Sequence, residues 1–393
     1  MSKILEPSKT INRGLTLFKM LFAFLLFMLS IDMLTVSLVR FNSQFAEQLF
    51  QATNNPFVGL FIGLLMTALI QSSSTVTAMI VAVVAAGTLS LSQAVPLVMG
   101  ANIGTTITST LVAFSFIMKK NEFKKALSAG VLHDIFNILT VLVLFPLEVY
   151  FGFLSQMAIY LTDTLFDSTI SGDEDYTYNV LFTRPITIWI VELISIPLVS
   201  LALAIILVFA SIKFLSTSVF RVFMSPSYNK ANKHIFQKPS IAFFYGIFFT
   251  AAVQSSTVTT SLIVPAVANR KVALVKAFPF IIGANIGTCI TAAIAAIYKT
   301  EAAISIAIVH FLFNFFGALI FLPFPGIRNI PVKLSTFLGR ESVRTRFVGF
   351  AYIVLTFFII PFLLIYFNRD GDIRQMGANQ NEKPKTEKTK DLP

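Results

Sequence analysis

Two short polar motifs interrupt otherwise apolar stretches of this chain, and each motif occurs twice. Gln71-Ser72-Ser73-Ser74 stands between apolar arms, as does Gln254-Ser255-Ser256-Thr257. Further along each copy comes Gly-Ala-Asn-Ile-Gly-Thr, at Gly100 to Thr105 and at Gly283 to Thr288. In hydrocarbon an unpaired hydroxyl or amide costs several kcal/mol, so such clusters need partners. Helix packing can supply them, because Ser, Thr, Gly and Asn are common at interhelical contacts. Duplication of both motifs favours a binding role. Gln, Asn, Ser and Thr oxygens, with backbone carbonyls, are hard neutral ligands suited to Na+, whereas hydroxyl and N–H donors suit an oxyanion. Gly100, Gly104, Gly283 and Gly287 are expected to let each span unwind and expose that backbone. No His or Cys cluster has metal-ligand spacing, so neither a transition metal nor a cofactor is expected.

Titratable residues inside apolar segments are few. His133 and His310 each precede an Asn by one turn, Asn137 and Asn314, on one helical face. Each His reads either as hydrogen-bonded packing or as a proton-coupling or site-lining group. Asp134 is a sharper case, because an acid in mid-span is costly and functional by default, yet its counterpart is Phe311. That asymmetry suggests a cation site in one half only, with a satisfied pair as the alternative. Asp32 and Glu192 have no duplicated neighbours and read as packing or helix-pairing residues. An intramembrane hydrolase would need one nucleophile and one base; here the serines and His are doubled, and neither Gly-x-Ser-x-Gly nor His-Glu-x-x-His occurs. The chain is not expected to be an enzyme.

The elements that position these residues are membrane spans. Of 393 residues, 55% are hydrophobic and 12% charged, which excludes a water-soluble fold. Full spans are expected at Leu15 to Val39, Ala94 to Met118, Ala126 to Phe153, Pro185 to Leu215, Val272 to Tyr298, Ala302 to Leu322 and Phe347 to Phe367. The first of these has an apolar run longer than a signal peptide's and no small-residue cleavage site, so it is read as retained. Pro56 to Leu89 and Ile241 to Ala268 are split by the Gln-Ser-Ser clusters into arms too short to span, the pattern of re-entrant hairpins. The net charge of +11 sits between spans, near Lys124, Lys233 and Arg344, as in cytoplasmic loops. No nucleic-acid partner is expected. Asp173-Glu174-Asp175 then lies outside, and the two hairpins enter from opposite faces. Cys289 is the single cysteine, so no intrachain disulfide forms.

Shifting the chain by about 183 residues overlays both motif pairs and Pro96 on Pro279, with half of the intervening positions identical. This is an internal duplication. Inverted repeats with interrupted helices point to a secondary transporter's midplane site. The expected fold is therefore an all-α integral membrane bundle with two inverted-topology repeats, each holding a re-entrant hairpin and an interrupted span. The expected organisation is a cytoplasmic N-terminus (1–14), a first repeat (15–160), an extracellular loop (161–184), a second repeat (185–325), a basic cytoplasmic loop with the last span (326–367) and a disordered tail (368–393).

The paired Gln-Ser-Ser and Gly-Ala-Asn-Ile-Gly-Thr motifs, with His133-Asp134-Ile135-Phe136-Asn137, Val141-Leu142-Val143-Leu144 and Pro146-Leu147-Glu148, resemble the type II sodium/phosphate cotransporters. The resemblance covers about Leu60 to Glu148 and Tyr245 to Leu322. It implies Na+-driven uptake of inorganic phosphate across the cell membrane, with both tips at one central site. Ser72, Ser73, Ser255 and Ser256 would donate to phosphate. Asn102, Thr105, Gln254, Ser255, Thr288 and Thr291 fall where the family's Na+ ligands are placed, and Gln71, Asn285 and Asp134 complete the sodium-binding set. An Asp at position 134 goes with electrogenic transport in the family. Lys120 falls where relatives have an anion-holding Arg, though Lys offers no bidentate fork. The chain departs from animal members in its short, cysteine-free loop between Gly152 and Arg184 and in Thr257 as the third residue after Gln254. Its span count also places the C-terminus outside, against the family's cytoplasmic ends. A transporter or exporter of another oxyanion shares nearly every one of these features.

Overall fold

The computed structural model describes residues 13–40, 53–165, 183–223, 235–297, 299–345, 347–363 and 366. These are almost entirely helical. The charged tail expected at 368–393 and the acidic stretch at 173–175 lie outside the described residues.

The chain opens with α1 (Arg13–Val39). Its Ser30 and Thr35 hydroxyls donate to the Phe27 and Ile31 carbonyls of the preceding turn, which makes them tolerable among apolar neighbours. A hairpin follows, α2 (Pro56–Ile70) and α3 (Ser73–Ala85). Asn55 caps α2, with Pro56 in its first turn. Next come α4 (Leu91–Gly104), α5 (Ile107–Phe114) and the 32-residue α6 (Lys120–Phe151). Helix α6 stops at Gly152, whose φ of 59° supplies the left-handed cap. Then α7 (Phe153–Leu165) starts where the Glu148 carboxylate accepts from the Leu154 and Ser155 amides at 2.7 and 3.2 Å and from the Ser155 hydroxyl.

After α8 (Arg184–Ile194) and α9 (Pro197–Phe223), a second hairpin is built from α10 (Pro239–Val253) and the arm α11 (Ser256–Ser261) and α12 (Ile263–Ala268). The chain continues through α13 (Leu274–Ala296), α14 (Glu301–Phe321), α15 (Pro325–Arg344) and α16 (Phe347–Val354), the last running on through a π-helical turn at Leu355–Ile359. Among the described residues six helical stretches are long and apolar enough to cross a bilayer: α1, α4 with α5, α6, α9, α13 and α14. This is a polytopic helical membrane protein.

Each hairpin's first arm packs on the long helix that follows it, α2 on α4 and α10 on α13. Glycine makes the contact possible. A Cβ at Gly100 would sit 1.8 Å from the Leu60 carbonyl oxygen, and one at Gly283 would sit 2.0 Å from that of Phe243. Gly104 and Gly287 make the same approach to Leu64 and Ile247. Close backbone approach is what drives helix association where lipid is as apolar as the side chains. The halves also interlock, with α3 on α13, α4 on α14, and α6 on α12 and α13.

Four expectations need correction. The span with Gly283 and Gly287 does not unwind: α13 is continuous, and its glycines serve the approach to α10. In the first half the helix does break, at Thr105-Thr106, where the Thr106 hydroxyl takes the Ile103 carbonyl at 2.8 Å in competition with the backbone. Pro185 to Leu215 is two helices rather than one, because Pro197 disfavours helix before it and Ser195 turns left-handed, φ 59°. The basic segment after Leu322 is the helix α15, laid along α6, with Gly339 against the Lys124 carbonyl and Ser128. The segment from 161 is also not all loop, since α7 extends to Leu165.

Candidate functional site

The two Gln-Ser-Ser tips have one backbone shape. Helix α2 ends with Gln71 at φ 59°, and α10 ends with Gln254 at φ 54°. Each Gln amide closes the turn onto a threonine carbonyl four residues back, Gln71 onto Thr67 at 2.7 Å and Gln254 onto Thr250 at 2.6 Å. The next residue is extended, Ser72 at φ −149° and Ser255 at φ −150°, and its hydroxyl caps the returning arm. Ser72 Oγ accepts from Thr75 N at 3.3 Å, and Ser255 Oγ accepts from Val258 N at 3.2 Å. Capping therefore falls on Ser72 and Ser255, which leaves Ser73 and Ser256 outside that duty.

The tips touch. Ser74 Oγ donates to the Gln254 carbonyl at 3.1 Å, and Thr257 Oγ1 donates to the Gln71 carbonyl at 3.3 Å. Positions 74 and 257 correspond across the duplication, as do 71 and 254, so the two bonds are one bond made twice. Ser73 and Ser256 are both buried beside this contact. The hydroxyl donors expected for an anion are thereby brought together from both halves.

A second cross-half layer lies on α4, α6, α13 and α14. Asn285 Oδ1 stands 2.5 Å from His133 Nε2, and Asn285 Nδ2 donates to Asn137 Oδ1 at 2.7 Å. Asn137 in turn donates to the Asn102 carbonyl at 2.6 Å. The corresponding pair, Asn314 Nδ2 and Asn102 Oδ1, is 3.3 Å apart, and Asn314 also reaches the His310 carbonyl and Cys289 Sγ. Asp134, fully buried, accepts from Thr106 at 3.0 Å through Oδ1 and from the Tyr352 hydroxyl through Oδ2. Oxygen acceptors suited to an alkali cation are plentiful nearby. Gln254 Oε1 and the Oγ1 atoms of Thr105 and Thr291 are buried with no hydrogen-bond partner among the described residues, while Thr288 Oγ1 donates to the Ala284 carbonyl. Thr67 and Thr250 are buried in the same unpartnered way, packed on Gly104 and Gly287. Among the described residues no group of three His, Cys, Asp or Glu could hold a metal ion.

No hydrogen bond joins Lys120 to either tip among the described residues. This lysine is exposed at the start of α6, fourteen residues before Asp134, or about 20 Å of helix. Asp32 and Glu192, read as helix-pairing residues, sit away from the duplicated motifs. Asp32 Oδ1 accepts from Arg184 at 3.0 Å and Lys299 at 3.1 Å, tying α1 to α8 and to the turn after α13; Arg40 meets Glu192 at 3.3 Å. Burial pushes the Lys299 ammonium below its ordinary value against the opposing pull of Asp32. Sequence reading had not singled out Thr106 or Tyr352. Thr106 directly follows the first Gly-Ala-Asn-Ile-Gly-Thr motif and aligns with Cys289, which was a usable signal. Tyr352 lies outside both copies and carried none.

Comparison with known proteins identifies relatives of the chain. Residues 26–145 and 205–330 match the family described as Na+/Pi-cotransporter. The chain is 28% identical to sodium-dependent phosphate transport protein 2A of Ovis aries over 91% of this chain and 69% of that protein. It is 30% identical to the 2A protein of Rattus norvegicus over 88% and 66%, and 27% identical to the 2B protein of Homo sapiens over 85% and 62%. No solved structure matches the chain significantly.

Proposed function

The chain belongs to the Na+/Pi-cotransporter family of membrane transporters, and from that premise we propose that it is a secondary active transporter carrying inorganic phosphate with Na+. The observation that carries the reading is the reciprocal contact of the two tips, Ser74 to Gln254 and Thr257 to Gln71. Two short arms from different halves end in one place, where capped helix starts and buried hydroxyls can replace the water shell of an anion. Ser72, Ser73, Ser255 and Ser256 donate to phosphate. Gln71, Asn102, Thr105, Gln254, Ser255, Asn285, Thr288 and Thr291 offer neutral oxygens to Na+, and Asp134 adds a charged ligand that makes the cycle electrogenic. Lys120, at the far end of α6, meets the anion only at the cytoplasmic mouth.

In this reading residues 15–160 and 185–325 form two repeats of opposite orientation, and access alternates as one repeat moves against the other around the joined tips. The matching tip geometry and the basic loops on one side support the inversion. The test is uptake of labelled phosphate into proteoliposomes under an imposed Na+ gradient, with and without a membrane potential. Uptake is expected only with external Na+, to be enhanced by an inside-negative potential, and to be abolished in Ser73→Ala and Ser256→Ala. Transport that survives both substitutions removes the proposed site. Unlabelled arsenate or sulfate competing better than phosphate would reassign the anion and leave the architecture standing.

A further inference from the structure

Asp134, inside the duplicated core, is hydrogen-bonded by a side chain from an element outside the duplication. One carboxylate oxygen takes the Thr106 hydroxyl at 3.0 Å; the other takes the hydroxyl of Tyr352. Tyr352 is on α16, past residue 330, where the family match ends. The second half places Cys289 and Phe311 at the positions of Thr106 and Asp134, so nothing there needs such a donor.

Two features beside Tyr352 bear on whether this bond is permanent. The helix changes to a π turn at Leu355–Ile359, three residues on, a local widening that is rare in itself and common where helices do work. Thr356, within that turn, follows Tyr352 by one helical turn. Thr356 and Ile360 also line a half-open apolar pocket of about 450 Å³, whose walls include Leu60 and Leu64 of α2 and Ile138 and Val141 of α6. Helix α16 is thus tightly engaged at Gly349, where a Cβ would meet Phe114 and Leu127 at 3.1 and 3.2 Å, and has free volume a few residues further along.

We propose that Tyr352 is a positioning residue that competes with Na+ for Asp134, holding the carboxylate's second oxygen until the cation takes it and α16 yields into the adjacent cavity. A phenol that donates to Asp134 occupies a lone pair of that oxygen and offsets part of its negative charge, so the bond weakens the oxygen as a ligand for a cation. The inference rests on the sodium-coupled reading above. It adds a coupling between cation occupancy and the last helix, which the repeats alone do not provide.

Na+ dependence separates this role from simple packing. Tyr352→Phe removes the competitor and is expected to lower the Na+ concentration for half-maximal phosphate uptake about tenfold, the equivalent of one hydrogen bond to a charged group. Phosphate half-saturation at saturating Na+ stays unchanged. In an Asp134→Asn background the same substitution has no effect on Na+ dependence. A Tyr352→Phe protein with unaltered Na+ dependence, or one shifted equally with and without Asp134, overturns the proposal. Should Tyr352→Phe fail to fold, Ile138→Phe tests the same motion by filling the cavity without touching Asp134; it is expected to raise the Na+ requirement, and an unchanged requirement is contrary to the proposal. Thermal stabilisation of the detergent-solubilised protein by NaCl over choline chloride gives a readout free of transport, with its Na+ midpoint moving the same way. Absence of phosphate uptake in the unmodified protein, with that midpoint shift intact, would sink the cotransport reading and spare this one.

Discussion

The tips at Gln71 and Gln254 share a backbone and differ in what surrounds it. Gln71 is exposed, whereas Gln254 is buried and its Oε1 has no hydrogen-bond partner. The layer beneath diverges further. His133 is engaged by Asn285, but neither ring nitrogen of His310 has a partner among the described residues; Thr106 with Asp134 in one half answers to Cys289 with Phe311 in the other. Helix α13 is continuous where α4 and α5 are broken. Duplication thus explains the frame, meaning the glycine approaches and the paired turns. Divergence explains the polarity of the site, since the charge and the helix break fall in the first half and the outside donor Tyr352 bonds to it.

Substitutions in pairs can break or sharpen that contrast. Where the halves agree, paired changes should do equal damage. Gly100→Val and Gly283→Val each drive side-chain atoms into a facing carbonyl and are expected to cost more than about 3 kcal/mol, seen as loss of monodisperse protein on size exclusion. If only one of them fails, the frame is not shared. Asp134 comes next. Asp134→Asn should remove one charge from the cycle, a loss of about 2.3 kcal/mol of driving force per 100 mV, while Phe311→Leu leaves the voltage dependence of uptake as it was. Currents recorded from reconstituted protein decide this.

The histidines predict a smaller, opposite-signed pair. His133→Phe strands Asn285 Oδ1 and is expected to destabilise by about 1–3 kcal/mol in thermal unfolding; His310→Phe strands nothing and should be neutral or stabilising. Equal losses would mean that His310 has a partner not seen in this arrangement. The smallest effect is expected at Cys289→Thr, which copies Thr106 into the second half. Cys289 Sγ has the His310 and Asn285 carbonyls at 3.5 and 3.6 Å, and a hydroxyl can use either, so stability should change by less than about 1 kcal/mol. A larger change would show that sulfur is specifically required there.

Much of this site was legible before any coordinates, for a physical reason. Polar residues are so expensive in apolar segments that Gln71, Ser72, Asn102 and their counterparts stand out, and repetition at one offset removes chance. Legibility fails where a residue's meaning depends on a distant partner. Gly283 looked like a hinge because glycine permits unwinding, yet the nearness of the Phe243 carbonyl gives it a different use. Helix α15 read as loop because its charges lower its hydropathy, although it packs along α6. Tyr352 could not be found at all. Its role depends on a bond across 218 residues of chain, and tyrosine in a span is ordinary.

The left-handed glutamines carry one last consequence. Helices that end in this conformation usually place glycine there, which adopts it without strain; a side chain at φ near +55° costs roughly 1–2 kcal/mol. Both copies keep glutamine at that cost. On the proposed sodium role of the two carboxamides, stability and transport pull in opposite directions at positions 71 and 254, and a laboratory selection for heat resistance alone would enrich Gln71→Gly and Gln254→Gly, yielding a tougher protein with its carboxamides gone. A thermostabilised version made for structural work should hold those two positions constant.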